Sequence, residues 1–347
     1  MNRKFWSRFF ESSLNSNLKS KIQNRKWAGL LAILFVLVGC VEMAEAGQAK
    51  LYRVGVILHG GPWYQVVDGL RDGLKELGLE EGKHFAMEIR DAKGDLKAVE
   101  KAARDLEREK VNLLYAINTS VTITVRRATA DIPIVFCAGT DPVAMGLVDS
   151  FAKPGGRLTG VHFLVTDLTA KRLEILKDIL PKLRRVVTFY DPGNPVARES
   201  ARLGREAAQH LGVQFVERHV ASVQEFQAGL GALKAGEADA YFQVSDAMVQ
   251  SQTQLIIDTA RAKRLPTVLM DESDVKKGAL ASYGVSYHEA GRLSAKYIQR
   301  ILTGTNPKDL PVEGVSGLEL VLNLRTAREI GLTIPPNVLA KADKVIK

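Results

Sequence analysis

Cysteine is nearly absent: Cys40 and Cys137 are the only two among 347 residues. Once an N-terminal leader ending near Cys40 is processed, no intrachain disulfide can form, and stability must come from a hydrophobic core. Cys137 lies in an apolar run and reads as a small core residue rather than a reactive thiol. Histidine is also sparse. The six, at 59, 84, 162, 210, 219 and 288, make no H-x-x-x-H and no clustered Cys/His spacing, so no metal is expected. There is no G-x-S-x-G elbow and no G-x-G-x-x-G after the first strand, which argues against a serine hydrolase and a dinucleotide site. The segment 78–84 (GLEEGKH) resembles a phosphate loop but is one residue short, with His where Ser or Thr is required. No catalytic residue and no cofactor is therefore assigned. After the first 49 residues no run approaches the roughly 18 apolar residues of a membrane span.

The leader is different in kind. Residues 1–27 carry seven Lys/Arg and one acid, and residues 28–39 (AGLLAILFVLVG) are apolar. A basic region followed by a short apolar one makes an export signal. Its basic part is long, so a downstream start codon is also readable. Two exits are available. Leu37-Val38-Gly39-Cys40 fits a lipobox with Cys40 as the lipidated N-terminus, and Ala44-Glu45-Ala46 fits ordinary cleavage before Gly47; the lipobox is preferred. Without residues 1–39 the formal charge of +9 falls to +3, with 41 basic against 38 acidic residues. No basic patch remains that would argue for nucleic acid.

What is present is ordinary globular composition, 46% hydrophobic and 25% charged, in a chain long enough for two domains. The stretch 132–161 organises it. A β-branched run at 132–136 has the composition of a strand buried on both faces. It stops at Ala138-Gly139-Thr140-Asp141-Pro142, polar residues at the strand end where open α/β sheets bind ligands. A short helical piece, the turn Lys153-Pro154-Gly155-Gly156 and an extended run at 159–163 lead to a second βα series.

Before this stretch, strands are predicted at Tyr52–Leu58, 85–90 and 111–117. A helix with Val66, Val67, Leu70, Leu74 and Leu77 on one face ends at Gly78. Another, capped by Asp95, packs through Leu96, Val99, Ala103 and Leu106, and a third spans 121–130. After it, a helix at 168–180 has Asp167 as its cap and Pro181 as its stop. Strands at 186–190, 213–218, 240–244, 267–270 and 278–284 alternate with helices, one opened by a Ser222/Glu225 capping box and one running to about Arg264. A helix at Tyr287–Leu302 returns to the first series, and a strand at Glu319–Asn323 joins the second. The expected class is α/β: two Rossmann-like lobes with parallel sheets joined by a three-segment hinge. The expected division is a leader and linker at 1–49, lobe 1 at 50–163 plus 286–317, and lobe 2 at 164–285 plus 318–347.

Candidate ligand residues are the polar and aromatic groups at strand ends: His59, Trp63, Tyr64, Asn118, Thr119, Ser120, Thr140, Asp141, Asp191, Asn194, Ser245, Asp246, Asp271 and Tyr283. Thr119 and Ser120 precede a helix, whose free N–H groups can hold a carboxylate. Asp246 can accept an ammonium group. Trp63, Tyr64 and Tyr283 can form aromatic walls. Each residue also has a plainer use, since Ser, Thr, Asp and Asn at such turns are helix caps and the tyrosines can pack at the rim.

These pieces resemble the bacterial ABC transporter substrate-binding proteins of the group with tryptophan- and tyrosine-binding members, which have the type I periplasmic binding protein fold. The matching residues span nearly the whole chain after the leader. They include Gly69-Leu70-Arg71-Asp72-Gly73-Leu74, Ile132-Pro133-Ile134-Val135-Phe136 with Asp141-Pro142-Val143, and Lys153-Pro154-Gly155-Gly156. Further on come Lys171-Arg172-Leu173-Glu174-Ile175-Leu176-Lys177, Asp309-Leu310-Pro311-Val312, Asn323-Leu324-Arg325-Thr326-Ala327 and Gly331-Leu332-Thr333-Ile334-Pro335-Pro336. Most are turns and helix faces, so they speak to fold more than to ligand. The resemblance implies an exported, periplasmic monomer that captures a small solute, such as an amino acid, between its lobes. It implies delivery to an ABC permease and its ATPase in the cytoplasmic membrane, without catalysis. Relatives commonly carry a Ser-Gly-type loop after the first strand and a Gly-Thr-Pro-type turn after the third. Here those loops are His59-Gly60-Gly61-Pro62-Trp63-Tyr64 and Asn118-Thr119-Ser120, which leaves room for a different ligand. A sensor that presents a ligand to a membrane receptor is the alternative. A DNA-binding regulator with this core would carry a helix-turn-helix where this chain has its leader.

Overall fold

Apolar β-branched runs alternate with amphipathic segments from Tyr52 onward, and each run forms a strand that ends in a polar loop. A computed structural model describes residues 51–163 and 165–347; the leader, Cys40 and the cleavage site after Ala46 lie outside them. The first strands are β1 (Tyr52–Leu58), β2 (Phe85–Asp91), β3 (Leu113–Ile117), β4 (Ile134–Ala138) and β5 (Leu158–His162). Next come β6 (Arg185–Tyr190), β7 (Gln214–His219), β8 (Ala240–Phe242), β9 (Thr267–Leu269) and β10 (Ala281–Gly284). The chain closes with β11 (Glu313–Gly314), β12 (Glu319–Asn323) and β13 (Lys344–Ile346).

These strands form two sheets, ordered β11-β5-β4-β3-β1-β2 and β13-β12-β10-β9-β8-β6-β7. All pairings in the first are parallel, and the second has one antiparallel pair, β10 with β12. Parallel strands need helical crossovers that cover both faces, which is why every residue of β3 and β4 is buried. The fold is thus α/β with two mostly parallel sheets. Each begins with the order 2-1-3-4-5, which reverses direction between its first and third strands.

The helices that matter for the site are α1 (Tyr64–Glu76), α2 (Leu96–Arg108), α3 (Thr119–Ala128), α4 (Thr169–Ile179), α5 (Pro195–His210) and α6 (Val223–Ala232). They continue with α7 (Ala247–Gln250), α8 (Thr253–Ala262), α9 (Glu272–Lys276) and α10 (Tyr287–Leu302). The chain changes sheet three times, after β5, after β10 and after β11. Helix α10 follows a strand of the second sheet but packs on α1, with no side chain between the backbones. A Cβ at Gly69 or Gly73 would strike the carbonyls of His288 or Arg292, and one at Gly291 would strike that of Val66. The buried bond from the Tyr115 hydroxyl to Ser294 Oγ, at 2.8 Å, fastens α10 to β3 as well.

Several local expectations change. Leu77 and Leu96 are 40% and 37% exposed. Leu77 follows the last turn of α1, where Gly78 at φ 79° turns the chain outward, and Leu96 is the first residue of α2 at the rim of a groove. Helix α3 starts at Thr119 instead of 121, because Asn118 caps it by accepting from Val121 N. Asp167 caps nothing: α4 begins without a side-chain cap, and Thr169 donates its hydroxyl to the Thr166 carbonyl. The piece after Asp141 is a run of turns, and the helix expected to reach Arg264 is broken at Ser251-Gln252 into α7 and α8.

Candidate functional site

The carboxyl ends of the two sheets face one another, so the polar loops after β1, β3, β4, β6 and β8 converge. This is where an α/β sheet with a reversal in strand order leaves a crevice. Two connected spaces result. An inner chamber of about 20 Å³, room for about one water, is lined by Trp63, Asn118, Thr119, Ser120, Gly139, Val165, Val196, Ser245, Ala247 and Gln250. An open groove of about 880 Å³ lies beyond it, sharing Ser120 and adding His59, Lys93, Lys97, Asp191, Asn194, Gln224, Gln227 and Asp246. That is within the range of small-molecule sites. The two sides touch at the groove: a Cβ on Gly61 would lie 2.9 Å from the Ser251 carbonyl, and one on Gly94 3.0 Å from Val223 and 3.2 Å from Met248. Ser120 Oγ donates across the cleft to Asn194 Oδ1 at 3.2 Å.

On the side of the first sheet, the loops are built by positive-φ backbone. Asn118 has φ 79°, a conformation that costs a non-glycine residue energy unless its surroundings hold it. Its Oδ1 caps α3, but its Nδ2 is buried without a hydrogen-bond partner among the described residues. Thr119 Oγ1 accepts from Gly139 N at 3.1 Å and lies 3.0 Å from Thr140 Oγ1, which locks the β3 and β4 ends together. Trp63 Nε1 and both ring nitrogens of His59 are likewise buried and unpartnered. Burial pushes the His59 pKa down to about 4, opposed by the approach of the Ala247 backbone, which falls short of a well-formed hydrogen bond, and by the charges of Asp91 and Asp95.

On the side of the second sheet the strand-end carboxylates and Asn194 are occupied. Asp246 Oδ1 accepts from Met248 N and Val249 N at 2.9 and 3.1 Å, and its Oδ2 accepts from Asp191 N at 2.8 Å. Burial still pushes its pKa up to about 6, opposed by those three N–H groups. Asp191 accepts from Gly193 N, Asn194 from Val196 N, and Asp271 from both Ser273 N and Tyr287 N. Ser245 Oγ, next to the chamber, is buried and unpartnered, as are Gln243 Nε2, Thr188 Oγ1, the Tyr241 hydroxyl, Ser273 Oγ and Asp274 Oδ1 elsewhere on this side.

A sequence profile described as ABC transporter substrate binding protein matches residues 53–346. The chain belongs to the ABC transporter substrate-binding protein family. A tyrosine-binding protein of Clostridioides difficile (strain R20291) is 26% identical over 265 residues, 76% of each chain. Among solved structures, the ABC domain in complex with L-Trp from Streptococcus pneumonia superposes with a TM-score of 0.74 at 25% identity. The ligand-free, open structure of a substrate-binding protein with adhesive properties from Clostridium difficile gives 0.56, also at 25% identity. Both comparisons cover 86% of this chain and 100% of the other.

In this substrate-binding protein the structure brings Trp63, Asn118, Thr119, Ser120 and Ser245 together around the chamber, and His59, Asp191, Asn194 and Asp246 around the groove. Thr140 stands behind Thr119. Tyr64, 38% exposed, donates its hydroxyl to Asp91 at the groove rim. Asp141, Asp271 and Tyr283 line neither space. Asp141 closes its own turn through Val143 N and Ala144 N, and Tyr283 packs on the apolar core of the second sheet. Sequence reading missed Gln250, Val165, Val196 and the lysine and glutamine rims. The run Gln250-Ser251-Gln252 just past a strand end was the one available signal. Among the described residues no cluster of His, Cys, Asp or Glu could hold a metal, and no helix is long and apolar enough to cross a membrane.

Proposed function

We propose that this chain is the extracytoplasmic solute-binding component of an ABC importer, capturing a small polar solute, an amino acid or similar molecule, between its lobes. One observation carries the reading: unpartnered donors on Trp63, Asn118 and Ser245 surround a chamber at the start of α3. A buried polar group without a partner costs about 1–3 kcal/mol, and a solute bearing acceptors removes that cost. The Thr119 and Ser120 N–H groups open α3 and favour a carboxylate there. We take Trp63, Asn118, Thr119, Ser120 and Ser245 as the inner contacts, with His59, Asp191, Asn194 and Asp246 around the entrance. Lobe 1 is then 50–163 plus 286–317, and lobe 2 is 164–285 plus 318–347. Solute bridging the lobes shifts the open–closed population toward closed, and the chain acts as a monomer that hands its cargo to a permease and its ATPase. Cys40 serves as the lipid anchor.

A thermal-shift screen of residues 47–347, first unfolded and refolded to strip ligand, tests the reading against amino acids, peptides, nucleosides and small acids. A solute at 100 times its Kd stabilises the native state by about 2.7 kcal/mol, so an amino-acid hit is the expected result. A hit confined to nucleosides would overturn the amino-acid reading.

A further inference from the structure

A cation is buried where the chain changes sheet. Arg172 of α4 is 0% exposed. Burial pushes its pKa down to about 10, opposed by Tyr287 and Tyr283, and among the described residues no carboxylate bears on it. Buried charges are ordinarily paired, because an unpaired one forfeits its hydration. Arg172 is held by neutral groups instead. Its Nη2 donates to the Val165 carbonyl at 2.7 Å and to Thr169 Oγ1 at 3.4 Å. Its Nη1 reaches the Tyr283 carbonyl at 3.5 Å, the limit of a hydrogen bond, and its Nε is unpartnered among the described residues. Val165 lies in the first crossing between the sheets, and Tyr283 stands at the end of β10, where the second begins. The three crossings run side by side, since Phe163, Val285 and Val315 border one surface groove.

The Val165 peptide is bonded in both directions. Its N–H donates to the Gly139 carbonyl at 2.7 Å, and Gly139 N donates to Thr119 Oγ1 at 3.1 Å. On the other side, Thr169 donates its hydroxyl to the Thr166 carbonyl, so the Ser200 hydroxyl, 2.8 Å away, is the one that donates to Thr169. Ser200 Oγ in turn accepts from Ser245 N at 2.8 Å. Thr119 and Gly139 line the chamber from the loops of the first sheet, and Ser245 lines it from the second. These bonds form one continuous path between the two chamber walls by way of the first crossing, and every side chain in it is buried. Of these side chains, Arg172 is the one that also reaches toward the second crossing.

We propose that Arg172 is a positioning residue for solute capture: it fixes the Val165 carbonyl at the first crossing against the Thr169–Ser200–Ser245 path, holds the two sides of the cleft in their present contact, and so sets the open–closed ratio. The proposal rests on capture by closure, as read above, but its test uses no solute. Residues 47–347 are stripped by unfolding and refolding, and the ratio is read by paired fluorophores on the two sides, with urea titration run alongside. Arg172→Met keeps the length of the side chain and removes its donors. It shifts the ratio toward open by about 10-fold or more, the loss of one hydrogen bond from a charged group. Arg172→Lys keeps the charge as a point donor and brings the ratio back to within about threefold of wild type. Ser200→Ala breaks the path one step further on and shifts the ratio the same way by about threefold, as for a neutral hydrogen bond. Added to Arg172→Met it contributes less than it does alone, because both changes interrupt one path. A purely structural role would lower the urea midpoint and leave the ratio of the folded protein unmoved. If Arg172→Met does not fold, Arg172→Gln removes the charge while keeping a polar end, and the same reading is taken from it. A folded Met or Gln variant whose ratio stays within about twofold of wild type overturns the proposal, as does strict additivity with Ser200→Ala. Since the ratio is read without solute, a shift upholds the role of Arg172 even where the screen finds no amino acid. An unmoved ratio overturns it even where the screen finds one.

Discussion

The two sheets share one strand order and carry polar residues at corresponding strand ends, but they use them differently. After β6, β8 and β9, the side chains of Asp191, Asn194, Asp246 and Asp271 are occupied by backbone N–H groups. After β1 and β3, His59, Trp63 and Asn118 keep buried nitrogens with no partner among the described residues. A polar strand end is therefore not evidence of a ligand contact; an unmet hydrogen-bonding group is. The second sheet uses Asp191, Asp246 and Asp271 to close turns and helix starts, while Trp63 and Asn118 of the first and Ser245 of the second keep unmet groups beside the chamber.

The largest test of this contrast is pH. His59 has a folded pKa of about 4, depressed below its ordinary value by burial. The unfolded state therefore binds more protons between about pH 6.5 and 4, and the stability tied to neutral His59 is lost as pH falls through that window. By urea titration, wild type should lose up to about 3 kcal/mol relative to His59→Gln between pH 7 and 4. Asp246, whose pKa burial raises to about 6, acts with the opposite sign. Its contribution is fullest in acid and declines as pH rises from about 4 to 6, so only the difference between variants isolates His59. A constant difference across that range would mean that His59 is not buried in solution.

Asp246→Ala should cost about 2 kcal/mol of stability, the loss of a buried cap, with solute affinity within about threefold of wild type. An affinity loss of 10- to 100-fold without destabilisation would break the comparison and make Asp246 an ammonium anchor after all. Asn118→Gly should do the reverse. Glycine suits the positive φ and replaces a cap at little cost, so stability holds within about 0.5 kcal/mol. Solute affinity falls about 10-fold with the lost amide donor, and unchanged affinity would take Nδ2 out of the site. Smallest is Ser120→Ala, which removes the bond to Asn194 across the cleft. It should shift the open–closed ratio about fivefold toward open, read by small-angle scattering or paired fluorophores. No shift would show that closure does not depend on that contact.

Much of this was legible in the chain. The β-branched runs, the Gly78 stop, the Ser222/Glu225 box and the span of α10 all follow from local pattern, because period and capping are properties of neighbouring residues. The residues around the chamber were legible as polar strand ends, but their roles were not. Asp246 as a cap and Asp246 as an anchor have the same sequence signature, and only the positions of Met248 N, Val249 N and Asp191 N separate them. Tyr283 looked like a wall and became core packing, because which face of β10 meets the second core is set by pairing with β9 and β12.

The sequence by itself determined the alternation of strands and helices, the repeat of that plan in two halves, and the glycines that let α1 and α10 meet. All rest on covalent geometry and short-range periodicity. Tertiary structure decided which polar groups are satisfied and how much space is left between the lobes. Those depend on atoms far apart in the chain: Trp63 against Tyr287, Ser120 against Asn194, Asp246 against the Asp191 backbone. Hydrogen-bond satisfaction and cavity volume are sums over all neighbours in space, and no local stretch of the chain contains them.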